Sequence, residues 1–516
     1  MLKFKAVVPA IVAAAVATGC YGCGSSSSSK GQKSGSGSDN GTLTLGVISG
    51  ITSYSAQDAS WANASPFEQA VYDTLLHATP DGQIVPWLAT KWSYSDHNTV
   101  LTMELRHDVK FTDGTAFTAA VAAENLQRFK TGQSPNASNL SRMAQASAPS
   151  KYTLRVTLSQ PDPALLVYLT QNAGLMESPK AFNSSTVNTV PVGSGPYIYD
   201  ANASVTGSTY TYTRNPHYWA PGSVHYGKLV LKVYGTNQSL MDALEGHQVN
   251  FATTGFDGSY VKQMESAGYT AELYELNWVG LILFDRAGKI TPALGNVKVR
   301  QAINYALDRP ALLKALQYGF GDVTEQVFGP GSPGYVKSLD SYYSYDVAKA
   351  RQLMAQAGYA GGFTVQFPIT SFVTSSLGPV LQQELGQIGI KLQLENIALS
   401  SYITDLLTPK FSMPYMELQQ DPTPWQLINF QIAPEASWNP FHYQTPEADS
   451  LIHTVQYGTA EQSDAASVQL NRYMVEQAWF APFFRPKSIF AVDSKTVAPV
   501  QADNCYPYLW NIRPRQ

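Results

Sequence analysis

Several short segments carry residue types that, in stricter patterns, perform catalysis or bind phosphate or metal. Ser194 lies between two glycines, but Pro196 takes the position at which a nucleophile elbow needs a glycine. The segment 222–229 has the glycines and the lysine of a phosphate loop, but Leu229 replaces the hydroxyl residue that would hold magnesium. The eight histidines are scattered, and none has a partner at metal-ligand spacing. We therefore predict no enzyme activity, no metal and no cofactor. A secreted hydrolase whose paired carboxylates meet only in the fold stays open as the enzyme alternative.

The first 20 residues, MLKFKAVVPAIVAAAVATGC, have the order of parts found in an export signal. Lys3 and Lys5 give a positive start, the apolar run that follows is too short to span a bilayer, and small residues precede Cys20. We predict that residues 1–19 are a lipoprotein signal peptide and that Cys20 is lipidated; ordinary secretion is the alternative. Cys20 and Cys23 also have Cys-x-x-Cys spacing, but their place beside the signal favours lipidation over a metal or redox site.

Residues 20–41 include a run rich in glycine and serine that has little to bury, so we predict a flexible tether behind the lipid. The chain of 516 residues is long enough for roughly two to four domains. Its 34 Lys and Arg nearly balance its 38 Asp and Glu and form no basic stripe, which argues against nucleic acid as a partner. No later apolar run is long enough to cross a membrane, so the lipid is the one membrane contact that we predict.

The elements that must position a binding site are clearest in the stretch Leu101–Phe129. Apolar and polar residues alternate from Leu101 to Leu105, as in a half-buried strand. A turn at 112–115 follows, and Thr118 can cap a helix whose apolar residues recur at helical spacing. Earlier in the chain, the pattern over 67–76 predicts another helix.

This stretch resembles a signature of the bacterial extracellular solute-binding proteins, family 5, which are oligopeptide-, dipeptide- and nickel-binding receptors of ABC importers. The family residues LR-x-x-V-x-F-x-D-G are matched by Arg106, Val109, Phe111, Asp113 and Gly114. The acidic residue that usually follows in the family is missing, because 118–121 reads TAAV here. Further segments resemble the family in the same order, at 84–92, 192–197, 214–219, 244–250, 297–309, 345–359 and 381–394.

The resemblance implies an α/β fold of the periplasmic-binding-protein type, type II, with two lobes and an extra subdomain. Lobe I is expected to comprise 42–275 and 486–516, with the subdomain inserted, and lobe II 276–485. Two hinge strands near 273–284 and 480–490 are expected to join the lobes around a cleft.

In peptide-binding relatives a segment of the type gW-x-aDyxDP lines the cleft, and its first Asp pairs with the amino group of the peptide. The corresponding stretch here is Tyr415–Trp425, in which Asp421 matches the closing Asp and Leu418 falls on the amine-binding position. Glu417 would replace that Asp after a shift of one residue; otherwise the ion pair is lost. Its loss would count against peptides with a free amino group, because a buried ammonium without a partner is costly.

The other candidate ligand contacts are aromatic and amide residues expected near the cleft, with core packing as the alternative for each. They are Tyr54, Trp278, Trp425, Trp438 and Asn439.

The resemblance implies a receptor that captures peptides or a similar small solute in the cleft and delivers it to the permease and ATPase of an ABC importer. Closure of the lobes on the solute would produce the form that the permease recognises. A receptor for a non-peptide solute or for signalling is the alternative. We expect a monomer held by its lipid at the outer face of the cell membrane, in the periplasm if an outer membrane is present.

Overall fold

The structure is a computed structural model that describes residues 41–516 apart from 254, 256–257, 371–376 and 503. The predicted signal peptide, Cys20 and almost all of the predicted tether lie outside the described residues. Within the described part, no helix is both long and apolar enough to cross a membrane.

Up to the point where the chain first crosses between the lobes, short strands alternate with helices. In chain order they are β1 (Thr42–Val47), α1 (Ser65–Val71), β2 (Leu76–Ala78), β3 (Ile84–Pro86), β4 (Ala89–Ser95), β5 (Val100–Leu105), α2 (Ala119–Thr131), β6 (Met143–Ser150), β7 (Thr153–Leu158), α3 (Leu165–Tyr168), β8 (Tyr197–Tyr199), β9 (Thr209–Arg214), β10 (Lys228–Val233), α4 (Asn237–Glu245), β11 (Phe251–Thr253), α5 (Val261–Ser266) and β12 (Thr270–Glu275).

The remaining part is richer in helices and ends in short strands. In chain order its elements are β13 (Asn277–Ile282), α6 (Val297–Ala306), α7 (Arg309–Gln317), β14 (Gly321–Val323), α8 (Val347–Gln356), β15 (Phe363–Ile369), α9 (Leu377–Gly386), β16 (Ile390–Asn396), α10 (Leu399–Leu406), β17 (Tyr415–Gln419), α11 (Pro424–Leu427), α12 (Pro446–Tyr457), α13 (Ala460–Glu476), β18 (Phe480–Val492), β19 (Thr496–Val497) and β20 (Arg513–Pro514).

One long strand, β18, joins the two halves of a large mixed sheet whose main path runs β17-β13-β18-β11-β1-β10-β9-β8. The first half of β18 pairs with β13 and β14 on the lobe II side. From Lys487 onward the same strand pairs with β12 and β11 on the lobe I side. Because β12 and β13 are consecutive and both pair with β18, the two crossing strands lie side by side. The division at 275/276 and 485/486 stays a prediction.

A separate antiparallel sheet has the order β4-β5-β7-β6, and α2 packs on it. Leu101, Met103 and Leu105 point into its core, as the alternation predicts. The Asp113 carboxylate accepts the backbone N–H of Thr115 at 2.8 Å in the predicted turn. Thr118 caps α2, because its hydroxyl accepts the N–H at position 121. The predicted order of strand, turn and helix is confirmed.

The helix predicted over 67–76 is shorter than expected. It ends at Val71, and Tyr72 is already extended, with φ −118° and ψ 146°. The next residue, Asp73, is fully buried and accepts hydrogen bonds from side chains far away in the sequence. These tertiary contacts outweigh the local helical pattern, and the chain enters β2 at Leu76 instead.

Candidate functional site

A cavity of about 680 Å³ opens between residues of lobe I and residues of lobe II. On the lobe I side it is lined by the loop after β1, including Trp61, and by the segment that leads into β6, including Arg142. On the lobe II side it is lined by residues that follow or end β17, including Asp421 and Phe430. The C-terminal segment adds Cys505. A cavity of this volume suits a small solute.

The loop after β1 is held at the cavity in a strained conformation. Trp61 and Ala62 both have positive φ values, 55° and 41°, which residues with a side chain rarely adopt. The backbone N–H groups of Ser60 and Trp61 donate to the Glu68 carboxylate of α1, at 3.1 and 3.4 Å. Burial raises the pKa of Glu68 to about 7. The loop is therefore fixed by a buried acid on the first helix.

The lobe II wall is built from the segment directly after β17. Helix α11 continues into a π-helical turn, Ile428–Ile432, an irregularity that often occurs at functional sites. This turn brings Asn429 and Phe430 to the cavity. The Phe430 ring remains 40% exposed and contacts Trp438 edge-on, with ring centres 6.4 Å apart.

Arg142 connects the two walls of the cavity. Its Nη1 donates to Asn429 Oδ1 at 2.9 Å, and its Nη2 lies 3.7 Å from Glu435 Oε1. The guanidinium also lies 4.9 Å from the ring centre of Trp425. Burial raises the pKa of Asp162 to about 6, although the positive charge of Arg142 opposes that rise. A largely buried cation on lobe I is thus matched by acceptors on lobe II.

A second contact between the lobes lies at the end of α12. Gln456 Nε2 donates to the backbone carbonyl of Pro161 at 3.0 Å. The neighbouring Tyr457 hydroxyl donates to Gln160 Oε1, also at 3.0 Å, and Gln160 lines the cavity. The first hydrogen bond is partly buried and the second is exposed.

Of the residues predicted to contact the solute, Asp421 is in the lining of the cavity. Trp425, which is fully buried, lies beside Arg142 behind the wall. Trp438 supports Phe430 from behind. Trp278 is deeper still, and its Nε1 donates to Gln431 Oε1 at 3.1 Å on the π-helical turn. The structure thus groups the predicted tryptophans around one wall.

Tyr54 and Asn439 lie away from the lining. The Tyr54 hydroxyl is buried and shares a 2.5 Å hydrogen bond with the Tyr212 hydroxyl in the core of lobe I. The Asn439 amide nitrogen donates to the carbonyls of Ala433 and Tyr443, at 3.1 and 2.9 Å. Through these hydrogen bonds Asn439 holds together the loop that leads away from the π-helical turn.

Glu417 and Leu418 occupy opposite faces of β17. Leu418 is buried, whereas the Glu417 carboxylate accepts a hydrogen bond from Asn277 Nδ2 at 2.6 Å across β13. Neither residue is among those that line the cavity. Burial raises the pKa of Glu417 to about 7, and the hydrogen bond from Asn277 works against that rise.

Replacing Glu417 by Gln should reduce the pH dependence of stability. Because the folded-state pKa is raised, the folded protein keeps a proton between about pH 4.5 and 7 that the unfolded chain has lost, so stability falls as the pH rises through this window. Gln cannot titrate, so we expect the melting temperature of Glu417→Gln to fall less between pH 5 and pH 8 than that of the wild type. The exposed Glu461→Gln is the control, and an identical fall in Glu417→Gln and wild type would contradict the assignment.

Sequence reasoning missed Trp61, Arg142 and Phe430. Arg142 ends a stretch rich in serine and asparagine, QSPNASNLSR. This polar composition just before a strand was the one sequence feature that could have indicated a polar lining. Phe430 reaches the cavity only because the helix widens into a π turn, which no local pattern predicts. Among the described residues, no group of three or more His, Cys, Asp and Glu could hold a metal ion.

Two α/β lobes around a polar cavity, joined by adjacent crossing strands, define a solute-binding protein of the periplasmic-binding-protein class. Residues 83–434 match the family model described as bacterial extracellular solute-binding proteins, family 5 middle. The chain belongs to this family, the solute-binding receptors of ABC importers. A relative is the glutathione-binding protein GsiB of Escherichia coli K12, 29% identical over 377 residues, which cover 68% of this chain and 69% of the relative.

Solved structures share the fold over nearly the whole chain. The binding protein DppA of Helicobacter pylori in complex with the peptide STSA has a TM-score of 0.76 at 21% identity, covering 92% of this chain and 98% of that one. HbpA2 of Haemophilus parasuis has a TM-score of 0.80 at 20% identity, with 92% and 100% covered. At this level of identity the likeness establishes the two-lobed α/β fold alone.

Proposed function

We propose that this protein is an extracytoplasmic receptor that captures a small polar solute in the cavity between its lobes and presents it to the permease of an ABC importer. The observation that carries this proposal is the polar cavity crossed by Arg142, which is lined from both lobes. A solute there touches both walls at once, so its binding energy favours the closed arrangement.

The hinge gives this capture its mechanism. The two connections between the lobes are the β12–β13 crossing and β18 itself, which lie side by side, so bending near Leu276 and Pro486 would open the cavity. A shift from mostly open to mostly closed requires about 5.5 kcal/mol of differential affinity for the closed form. Hydrogen bonds and aromatic contacts from both walls can supply it without chemical change in the solute, and the protein needs no catalytic group.

Among the residues predicted to contact the solute, Asp421 is our proposal for a direct contact, because it lines the cavity. For the other six, direct contact stays a prediction. Their positions support a second role, which is to hold the wall and the crossing strands in place. They are Tyr54, Trp278, Glu417, Trp425, Trp438 and Asn439.

Native mass spectrometry of the full chain, purified without denaturation, tests the proposal. We expect a fraction of the protein to carry a non-covalent solute that is released on denaturation. A chain that is empty after purification and that gains no mass from a crude small-molecule extract would contradict the proposed function.

We also propose that Cys20 carries a lipid that holds the receptor at the outer face of the membrane. Replacing Cys20 by Ala should move the protein from the membrane fraction to the soluble fraction, because acyl chains provide the predicted anchor. Cys23→Ala should leave the protein with the membrane. Fractionation followed by immunoblotting measures this, and membrane retention of Cys20→Ala would rule out the anchor.

A further inference from the structure

We propose that the cavity takes a neutral, polyhydroxylated solute, a short oligosaccharide, in preference to a free peptide. This inference rests on the proposed function above and adds the chemical class of the ligand.

The walls of the cavity are dominated by uncharged groups that both donate and accept hydrogen bonds. Most lining residues are Ser, Asn or Gln, contributed by both lobes and by the C-terminal segment. Side-chain amides and hydroxyls match ligand hydroxyls, since each hydroxyl also donates one hydrogen bond and accepts others. A ligand with many hydroxyl groups can therefore use this lining without bringing a net charge into it.

The cation at the cavity, Arg142, is already engaged by groups of the protein. Among the described residues that line the cavity, Arg142 is the one Lys or Arg. Its guanidinium is held by Asn429 and faces the carboxylates of Glu435 and Asp162. A peptide carboxylate placed here would compete with Asn429, Glu435 and Asp162 for the Arg142 guanidinium and would meet the negative charge of Asp421 as well.

Among the described residues that line the cavity, Nε of Arg142 is buried without a hydrogen-bond partner. The donor Nε1 of Trp61 and the acceptor Oδ1 of Asn504 are buried in the same way, and both of these side chains are more than nine-tenths buried. An unsatisfied buried polar atom costs about 1–3 kcal/mol, so a ligand whose binding moves the wall enough to supply the partner would be favoured. The two nitrogens need an acceptor and the oxygen needs a donor, and a hydroxyl group can serve as either.

Phe430 supplies a surface for the apolar face of a sugar ring. Its ring is 40% exposed and packs edge-on against Trp438. A sugar ring has a face of C–H groups and an edge of hydroxyls. Stacking that face on Phe430 would leave the hydroxyls to the surrounding amides.

The test is a calorimetric titration of the full chain, freed of solute by denaturation and refolding, with three kinds of probe. These are neutral oligosaccharides (cellobiose, maltotriose and trehalose), glutathione, and tetraalanine. We expect an oligosaccharide to bind and the charged probes to bind at least about tenfold more weakly. Phe430→Ala should weaken oligosaccharide binding about five- to tenfold. Tyr345→Ala removes a ring of similar exposure, 46%, outside the lining and should leave the affinity unchanged.

The outcomes separate the ligand class from the function. If glutathione or tetraalanine binds and no oligosaccharide does, the neutral-solute proposal is wrong and the receptor function stands. Equal oligosaccharide affinity in Phe430→Ala and wild type would also overturn it. If no probe binds and the natively purified chain carries no solute, the proposed function itself fails.

Discussion

Replacing Asp73 by Ala should lower the free energy of unfolding by about 4 kcal/mol or more. The Asp73 carboxylate is buried where the first helix ends, and four donors from distant segments converge on it. Its two oxygens accept from Trp87 Nε1 at 2.8 Å, the Ser194 hydroxyl at 2.7 Å, the Tyr218 hydroxyl at 2.8 Å and Trp219 Nε1 at 3.1 Å. Alanine would leave all four donors without their acceptor in a largely buried site.

Chemical denaturation followed by tryptophan fluorescence measures this effect. Asp464→Ala, at an exposed position of α13, is the matched control and should change stability by less than about 0.5 kcal/mol. The loss of stability in Asp73→Asn should lie between those of Asp73→Ala and Asp464→Ala, because an amide keeps one acceptor oxygen and replaces the other with a donor. A loss below about 1 kcal/mol in Asp73→Ala would show that the four contacts do not hold these segments together.

Replacing Arg142 by Ala should weaken binding of the co-purifying solute roughly 10- to 100-fold, because a hydrogen bond to a charged group contributes about 1.5–3 kcal/mol. Arg142 is the lobe I residue that bonds to Asn429 and approaches Glu435 across the cavity. Without it the closed arrangement loses this connection, and Asp162 loses a nearby cation in a buried site. The effect should appear as faster dissociation, since the connection forms only after the lobes close.

The measurement is isothermal titration at a temperature where each variant is fully folded. Arg142→Lys should recover part of the affinity, because lysine restores the charge but not the planar geometry that spans Asn429 and Glu435. Arg472→Ala removes an exposed arginine on α13 and should have no effect. Unchanged affinity in Arg142→Ala would mean that the connection between the lobes does not contribute to capture.

Local patterns predicted the framework well. The alternation from Leu101 to Leu105, the cap at Thr118 and the buried run that became β13 each depend on neighbours in the sequence. The family resemblance added the two-lobed architecture and the two crossing strands. The exception at 67–76 has a physical cause, because Asp73 is held by donors that lie up to 146 residues away.

The cavity could be predicted much less well. Trp61, Arg142 and Phe430 come from three separate segments of the chain, and two of them lie at backbone irregularities, a positive φ and a π turn. Within the segment Tyr415–Trp425, Asp421 reaches the cavity. Strand alternation sends the Glu417 side chain to Asn277 instead, a consequence of register that counting residues cannot reveal.

Closure of the two lobes on a solute is the central claim, and small-angle X-ray scattering tests it most directly. The measurement would use the Cys20→Ala variant, because it carries no lipid at that position. Scattering would be recorded after removal of the solute and again after saturation with the solute that co-purifies. We predict a smaller radius of gyration in the saturated protein than in the solute-free protein. In Arg142→Ala we predict a smaller difference between these two states. An identical radius of gyration with and without solute, at concentrations where titration shows full occupancy, would contradict capture by closure.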